Sequence, residues 1–140
     1  MRLLIVEDQS EPLHVLEQLV KTEFSHNPDN HYDVARCYNE AEEIIQKQRY
    51  NIILLDHRMP RENMVQREAV DFKRYCETLE NIGYCLIPYV KRLHPETVII
   101  GTSSLSERDL TMMPAPDYSV NKISSELRND FMEILKKIIS

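Results

Sequence analysis

Four short apolar runs each end on a polar or charged side chain, and this repetition constrains the fold more than any other feature of the chain. Leu3-Leu4-Ile5-Val6 leads into Glu7-Asp8, Ile52-Ile53-Leu54-Leu55 into Asp56, Val98-Ile99-Ile100-Gly101 into Thr102, and Tyr118-Ser119-Val120-Asn121 into Lys122. Continuous apolar runs separated by helix-length stretches indicate strands of a parallel sheet covered on both faces. In such a sheet the carboxyl ends of the strands share one edge, where ligands bind. Three carboxylates, a hydroxyl and an ammonium therefore converge from positions more than a hundred residues apart. That inventory suits holding a divalent cation and moving a phosphoryl group.

The 140 residues suffice for one domain with a single core and no disulfide or metal staple. The net charge is −6, from 17 basic and 23 acidic residues, and no Lys/Arg run exceeds two, so a basic face for direct nucleic-acid binding is not expected. Cys37, Cys76 and Cys85 lack Cys-x-x-Cys spacing, as expected of packing residues in a reduced, cytoplasmic protein. No apolar stretch approaches the roughly 20 residues of a membrane span, and a strand starting at residue 2 leaves no room for a signal peptide.

Between the strands, Ser10 is a candidate helix cap ahead of Leu13, Leu16, Val20 and Phe24, and Tyr32 to Tyr38 reads as the second strand. Asn39 is placed to cap a second helix carrying Ala41, Ile44 and Ile45 inward. Ser124 or Ser125 is placed to cap a last helix whose apolar face is Leu127, Phe131, Ile134, Leu135 and Ile138. Alternating strand and helix with right-handed crossovers gives a doubly wound α/β sandwich around a five-stranded parallel sheet.

Over nearly its whole length the chain resembles a bacterial two-component response-regulator receiver domain. Met1-Arg-Leu-Leu-Ile-Val-Glu-Asp8 is similar to the family's first strand and acidic pair, and Leu54-Leu-Asp-His-Arg-Met-Pro60 to its phospho-acceptor strand. Ile99-Ile-Gly-Thr-Ser103 is similar to the switch strand and Lys122 to the family lysine. The resemblance implies a flavodoxin-like sheet of order 2-1-3-4-5 with helices on both faces, and a receiver domain over 1–140.

Three stretches depart from the family. Arg61 to Asn81 stands between Met59-Pro60 and the family's third helix at Gly83 to Leu93. Its apolar positions Val65, Ala69, Phe72, Cys76 and Leu79 continue through Gly83, Leu86, Val90 and Leu93 in steps of four and three, which predicts helix. A break is expected between Gly83 and Pro88. From Val65 to Leu79 such a helix spans about 22 Å, and its narrow seam needs cover from a neighbouring subunit or by folding back over the site. The heptad spacing favours a homodimer through 65–93. In the second stretch, Leu105 to Pro116, Pro114 and Pro116 leave at most two turns for the family's fourth helix. In the third, Ile123 follows Lys122 where the family has proline, so a cis bond is not expected. Ser119 takes the position of the family's switch aromatic, with Tyr118 beside it.

By this resemblance Asp56 is the phospho-acceptor. Mg2+ is held by Asp8 and Asp56 directly, by Glu7 through water, and by the main-chain carbonyl of Arg58. Thr102 donates its hydroxyl to a phosphoryl oxygen, and Lys122 supplies a fixed positive charge. Arg58, two positions past Asp56, is placed to shield an acyl phosphate. His57 reads as a surface residue, since consecutive strand-end side chains point apart.

The resemblance implies a sensor histidine kinase or histidine phosphotransfer protein as donor and a downstream protein as target. It implies no enzyme activity beyond the chain's own phosphorylation and dephosphorylation. Two alternatives stay open. One is a degenerate receiver acting as a phosphorylation-independent interaction module. The other is a metal-dependent phosphatase, which lacks a second nearby Asp because Arg58 stands there.

Overall fold

The computed structural model describes residues 1–104 and 110–139. The chain runs β1 (Arg2–Val6), α1 (Ser10–Glu23), β2 (His31–Ala35), α2 (Tyr38–Lys47), β3 (Ile52–Leu55), β4 (Arg58–Met59), α3 (Val65–Val70) and α4 (Phe72–Glu77). It continues through β5 (Glu80–Asn81), a 3-10 turn (Gly83–Cys85), α5 (Leu86–Leu93), β6 (Val98–Gly101), β7 (Tyr118–Ser119) and α6 (Leu127–Ile139). The main sheet has the order β2-β1-β3-β6-β7, and every pairing in it is parallel. Counted along that sheet this is 2-1-3-4-5, the flavodoxin-like order expected.

Alternation along the buried strands divides the apolar side chains between two layers. Leu3, Ile5, Ile52, Leu54 and Ile100 pack with α1 and α6, where Leu16, Val20, Phe131 and Leu135 meet them. Leu4, Val6, Ile53, Leu55 and Ile99 face the other way, onto Ala41 and Ile45 of α2 and Leu86, Ile87 and Val90 of α5. Burying each such side chain contributes about 1.5–3 kcal/mol. Both faces of the sheet are therefore spent on packing, which leaves the carboxyl edge for chemistry.

Several local expectations are corrected. Ser10 is the first residue of α1, with Gln9 at the cap position and no side-chain capping bond. At α2 the cap is Cys37, whose Sγ accepts from Glu40 N, while Asn39 N donates to Arg61 O at 3.0 Å. The second strand stops at Ala35, so Arg36 and Cys37 form the connection and Tyr38 already opens α2. Before α6, Ser124 Oγ accepts from Glu126 N at 3.1 Å. Of the stretch from Leu105 to Pro116, where at most two helical turns are expected, 105–109 lie outside the described residues.

The segment after Pro60 differs most from its reading as one seam. Helix breaks at Asp71 (φ −148°, ψ 85°), whose carboxylate caps α4 by accepting from Arg74 N. α3 buries none of its residues, and Phe72 is 54% exposed. The inward side chain of α4 is Tyr75, off the expected seam. β5 then returns antiparallel to β4, pairing Arg58 with Asn81 and Met59 with Glu80. The segment is a strap folded back over the sheet edge, two short helices and a strand in place of one continuous helix. α5 begins at Leu86, so Pro88 lies in its first turn, where a missing N–H costs little.

Candidate functional site

At the ends of β1 and β3, Glu7, Asp8 and Asp56 are all buried, with one ligand atom from each lying within 4.8 Å of the others. The parallel register forces this meeting. Val6 pairs with Leu55 and Leu55 with Gly101, so the next residues are Glu7, Asp56 and Thr102 in adjacent rows. Thr102 N donates to Leu55 O at 2.9 Å, which holds its side chain at the same edge. Its Oγ1 is buried and has no hydrogen-bond partner among the described residues.

Lys122 reaches the same point from β7. Its Nζ donates to Asp56 Oδ2 at 3.0 Å and to Glu7 Oε1, and its side chain is 8% exposed. No cis peptide bond occurs among the described residues, so Lys122 is brought in without the family's proline. Asp56 Oδ1 accepts from His57 N at 2.9 Å, and Glu7 Oε2 from Gln9 N at 3.2 Å. One ammonium thus stands among three carboxylates. Burial pushes Asp56 up to about 7, helped by the charge of Glu7 and opposed by Lys122. Burial likewise pushes Asp8 up to about 8, against the hydrogen bond from Tyr75. Burial opposes the charge on Lys122, but Asp56 and Glu7 outweigh it and hold the ammonium above the usual lysine value.

A concentration of buried oxygen ligands short of positive charge suits a hard divalent cation. Asp8 Oδ1 strengthens the fit, being buried with no hydrogen-bond partner among the described residues. The side chain of Arg58 is exposed in β4, two positions past Asp56.

His57 is corrected from a surface residue to a buried one, 1% exposed. Its Nδ1 accepts from Tyr84 N at 3.0 Å, its ring lies 4.7 Å from the Tyr84 ring, and burial holds its pKa below the usual value. Its side chain does point away from the carboxylates, but the strap's return covers that side. His57 O accepts from Ile82 N at 3.1 Å and from Gly83 N at 2.7 Å. A Cβ on Gly83 would stand 1.9 Å from Asp56 O, so only glycine permits this approach. Tyr118 packs toward α6, with Lys137 Nζ 5.7 Å from its ring centroid. The aromatic ring beside β6 is Tyr84, against Gly101. Burial, opposed by a hydrogen bond with the Ser103 backbone, raises its phenol to about 12.

Sequence reasoning missed the strap's contacts with the site. Tyr75, 1% exposed, donates its phenol to Asp8 Oδ2. Glu68 accepts from Ser10 N at 2.9 Å and Ser10 Oγ at 2.6 Å, and lies 3.6 Å from Arg36. Arg36 Nη2 donates to Asp8 O at 2.8 Å. The available signal was Asp71, a good helix cap in mid-segment, with Tyr75 one turn later.

Fold and cluster together define the class: the chain has the fold of CheY-like response-regulator receiver domains. It is similar to the response regulator receiver domain protein of Methanospirillum hungatei JF-1 (TM-score 0.71, 18% identity, 99% of this chain and 93% of that one). It is also similar to response regulator TrrA of Thermotoga maritima, solved in complex with Mg2+-BeF (TM-score 0.69, 19% identity, 98% and 97%). The signal receiver domain of a DNA-binding response regulator from Colwellia psychrerythraea 34H matches at TM-score 0.68 and 14% identity, over 99% and 98%. No protein-family model and no curated protein sequence matches the chain. No helix among the described residues is long and apolar enough to cross a membrane.

Proposed function

We propose that the chain is a phosphoryl-accepting receiver, modified on Asp56 in a two-component or phosphorelay system. The observation that carries this reading is the buried meeting of Glu7, Asp8 and Asp56 with Lys122 Nζ 3.0 Å from Asp56 Oδ2. Asp8, Asp56, Glu7 and the carbonyl of Arg58 are the residues that would hold Mg2+. Bound there, Mg2+ would neutralise charge on the phosphoryl group.

An Asp56 carboxylate oxygen forms the new O–P bond while the P–N bond of a phosphohistidine donor breaks. The imidazole nitrogen leaves with the electron pair and takes a proton. Lys122 faces the charge that develops on the phosphoryl oxygens, and the Thr102 hydroxyl, without a partner among the described residues, is available to donate to one of them. A histidine kinase or histidine phosphotransfer protein is the donor class. The altered strand end at Thr102 would then be read by a downstream protein. The buried Tyr84, between Gly101 and His57, lies where such a change would be felt. The chain's own chemistry is limited to gaining and losing the phosphoryl group.

Intact mass after treatment with acetyl phosphate and Mg2+ tests this. One phosphoryl addition is expected, lost with EDTA and lost in Asp56→Asn. Labelling that persists in Asp56→Asn would overturn the assignment. The strap closed over Asp8 favours a second reading, a phosphorylation-independent interaction module, and an unlabelled wild type would select it.

A further inference from the structure

Asp8 is held at both ends by residues that the five-stranded body does not itself require at the site. Its main-chain carbonyl accepts from Arg36, which the strap's Glu68 engages in turn. Its carboxylate Oδ2 accepts from Tyr75 of α4, and Oδ1 is buried with no hydrogen-bond partner among the described residues. The phenol donates to Oδ2 from a side chain that is itself buried, so the donor is held in place. A carboxylate with one oxygen occupied by a fixed donor cannot swing freely, so its other oxygen is presented in one orientation. Outer partners of this kind orient metal-ligating side chains.

We propose that Tyr75 is a positioning residue for the divalent-cation site, and that closure of the 61–82 strap and cation binding are linked. The closed strap sets Asp8 Oδ1 for ligation, and the cation in turn holds the strap closed. Reciprocity is obligatory, because whatever factor closure adds to cation affinity the cation adds to closure. The inference rests on the cation site proposed above and gives the strap a role in it. Three further contacts place the closed form within reach of such a linkage: the Glu68–Ser10 bonds, the β4–β5 pairing and the Gly83 contact with His57 O.

Tyr75→Phe keeps the ring and removes the hydroxyl. Isothermal titration of the full chain with Mg2+, and with Mn2+ as a second probe, should show about 10-fold weaker binding in Tyr75→Phe than in wild type. Asp8→Asn should abolish binding. By hydrogen exchange, saturating Mg2+ should increase protection of 65–79 in wild type and leave Asp8→Asn unchanged. Equal or tighter binding by Tyr75→Phe would overturn the proposal, since the hydroxyl would then be a plug or simple packing. Unchanged strap protection in Mg2+-bound wild type would overturn it as well, and decides the matter alone if Tyr75→Phe does not fold. A wild type that binds neither ion removes the cation site itself, an outcome distinct from binding that ignores the hydroxyl.

Discussion

The sheet body and the strap that crosses its edge are held by different forces. In the body, β1 and β3 are buried on both faces, and two apolar layers clamp them. In the strap, α3 buries nothing, α4 buries Tyr75 alone, and Val70 is 87% exposed. Its attachments are polar: the Tyr75 phenol, the Glu68 carboxylate, a two-residue ladder and the Gly83 amide. Segments with few apolar contacts and many individual polar ties open at lower free energy than the core they lie on. The buried carboxylates thus stand on the part held by apolar packing, beneath a segment held by polar ties.

The largest test of this division lies where the two regions meet. Gly83→Ala would put a methyl group 1.9 Å from Asp56 O and 2.8 Å from His57 Cα, both backbone atoms. Neither can yield without shifting the end of β3 that carries Asp56. A loss on the order of 3 kcal/mol is expected in urea denaturation, the upper range for overpacking. Val70→Ala, at the exposed crest of α3, should stay within about 0.5 kcal/mol. Comparable losses at the two positions would mean that the strap's return is not pinned to the body as described.

A second test addresses the body's own electrostatics. Without a divalent cation, the folded state holds protons on Asp8 and Asp56 up to about 8 and about 7, against a reference of 3.8 for each. The unfolded chain has released these protons by about pH 5. The folded state therefore binds more protons across the interval, and unfolding free energy falls as pH rises from about 4 to 8. Denaturation midpoints in EDTA at pH 5, 6.5 and 8 should decline. Saturating Mg2+ should flatten the decline, because ligating carboxylates are already deprotonated in the folded state. A rise in stability over the interval in EDTA would contradict the burial of these groups.

The same contrast explains what could be read from the residues alone. Strands buried on both faces are written as unbroken apolar runs, and the runs of β1, β3 and β6 stop at their observed ends, while the more polar run of β7 continues two residues past its strand. The convergence of Glu7, Asp8, Asp56, Thr102 and Lys122 then follows from parallel pairing. The strap offered no such pattern, because polar side chains and backbone hold it in place. Its heptad spacing suggested one helix, but a break at Asp71 resets the phase and turns Tyr75 inward in place of Phe72 and Cys76. Glu80 and Asn81 pair as a strand with no apolar signal, held by their partners in β4. His57 was misplaced for the same reason, since its cover comes from Gly83 and Tyr84 across the strap.

The smallest expected effect isolates one tie of the strap. Glu68 accepts two hydrogen bonds from Ser10 and lies 3.6 Å from Arg36, with the two side chains 11% and 19% exposed. Glu68→Gln keeps an acceptor for Ser10 but removes the charge facing Arg36. Arg36 retains Asp8 O and Ser10 Oγ as acceptors, so it is not stranded. A partly buried pair of this kind contributes about 1 kcal/mol. That loss should appear in hydrogen exchange as a lower opening free energy for 65–79, with the amides of β1 and β3 unmoved. The energy is local because nothing in the body's two apolar layers depends on Glu68. Equal loosening of strap and sheet would show instead that the two open as one unit, and the division between a fixed site and a movable cover would fail.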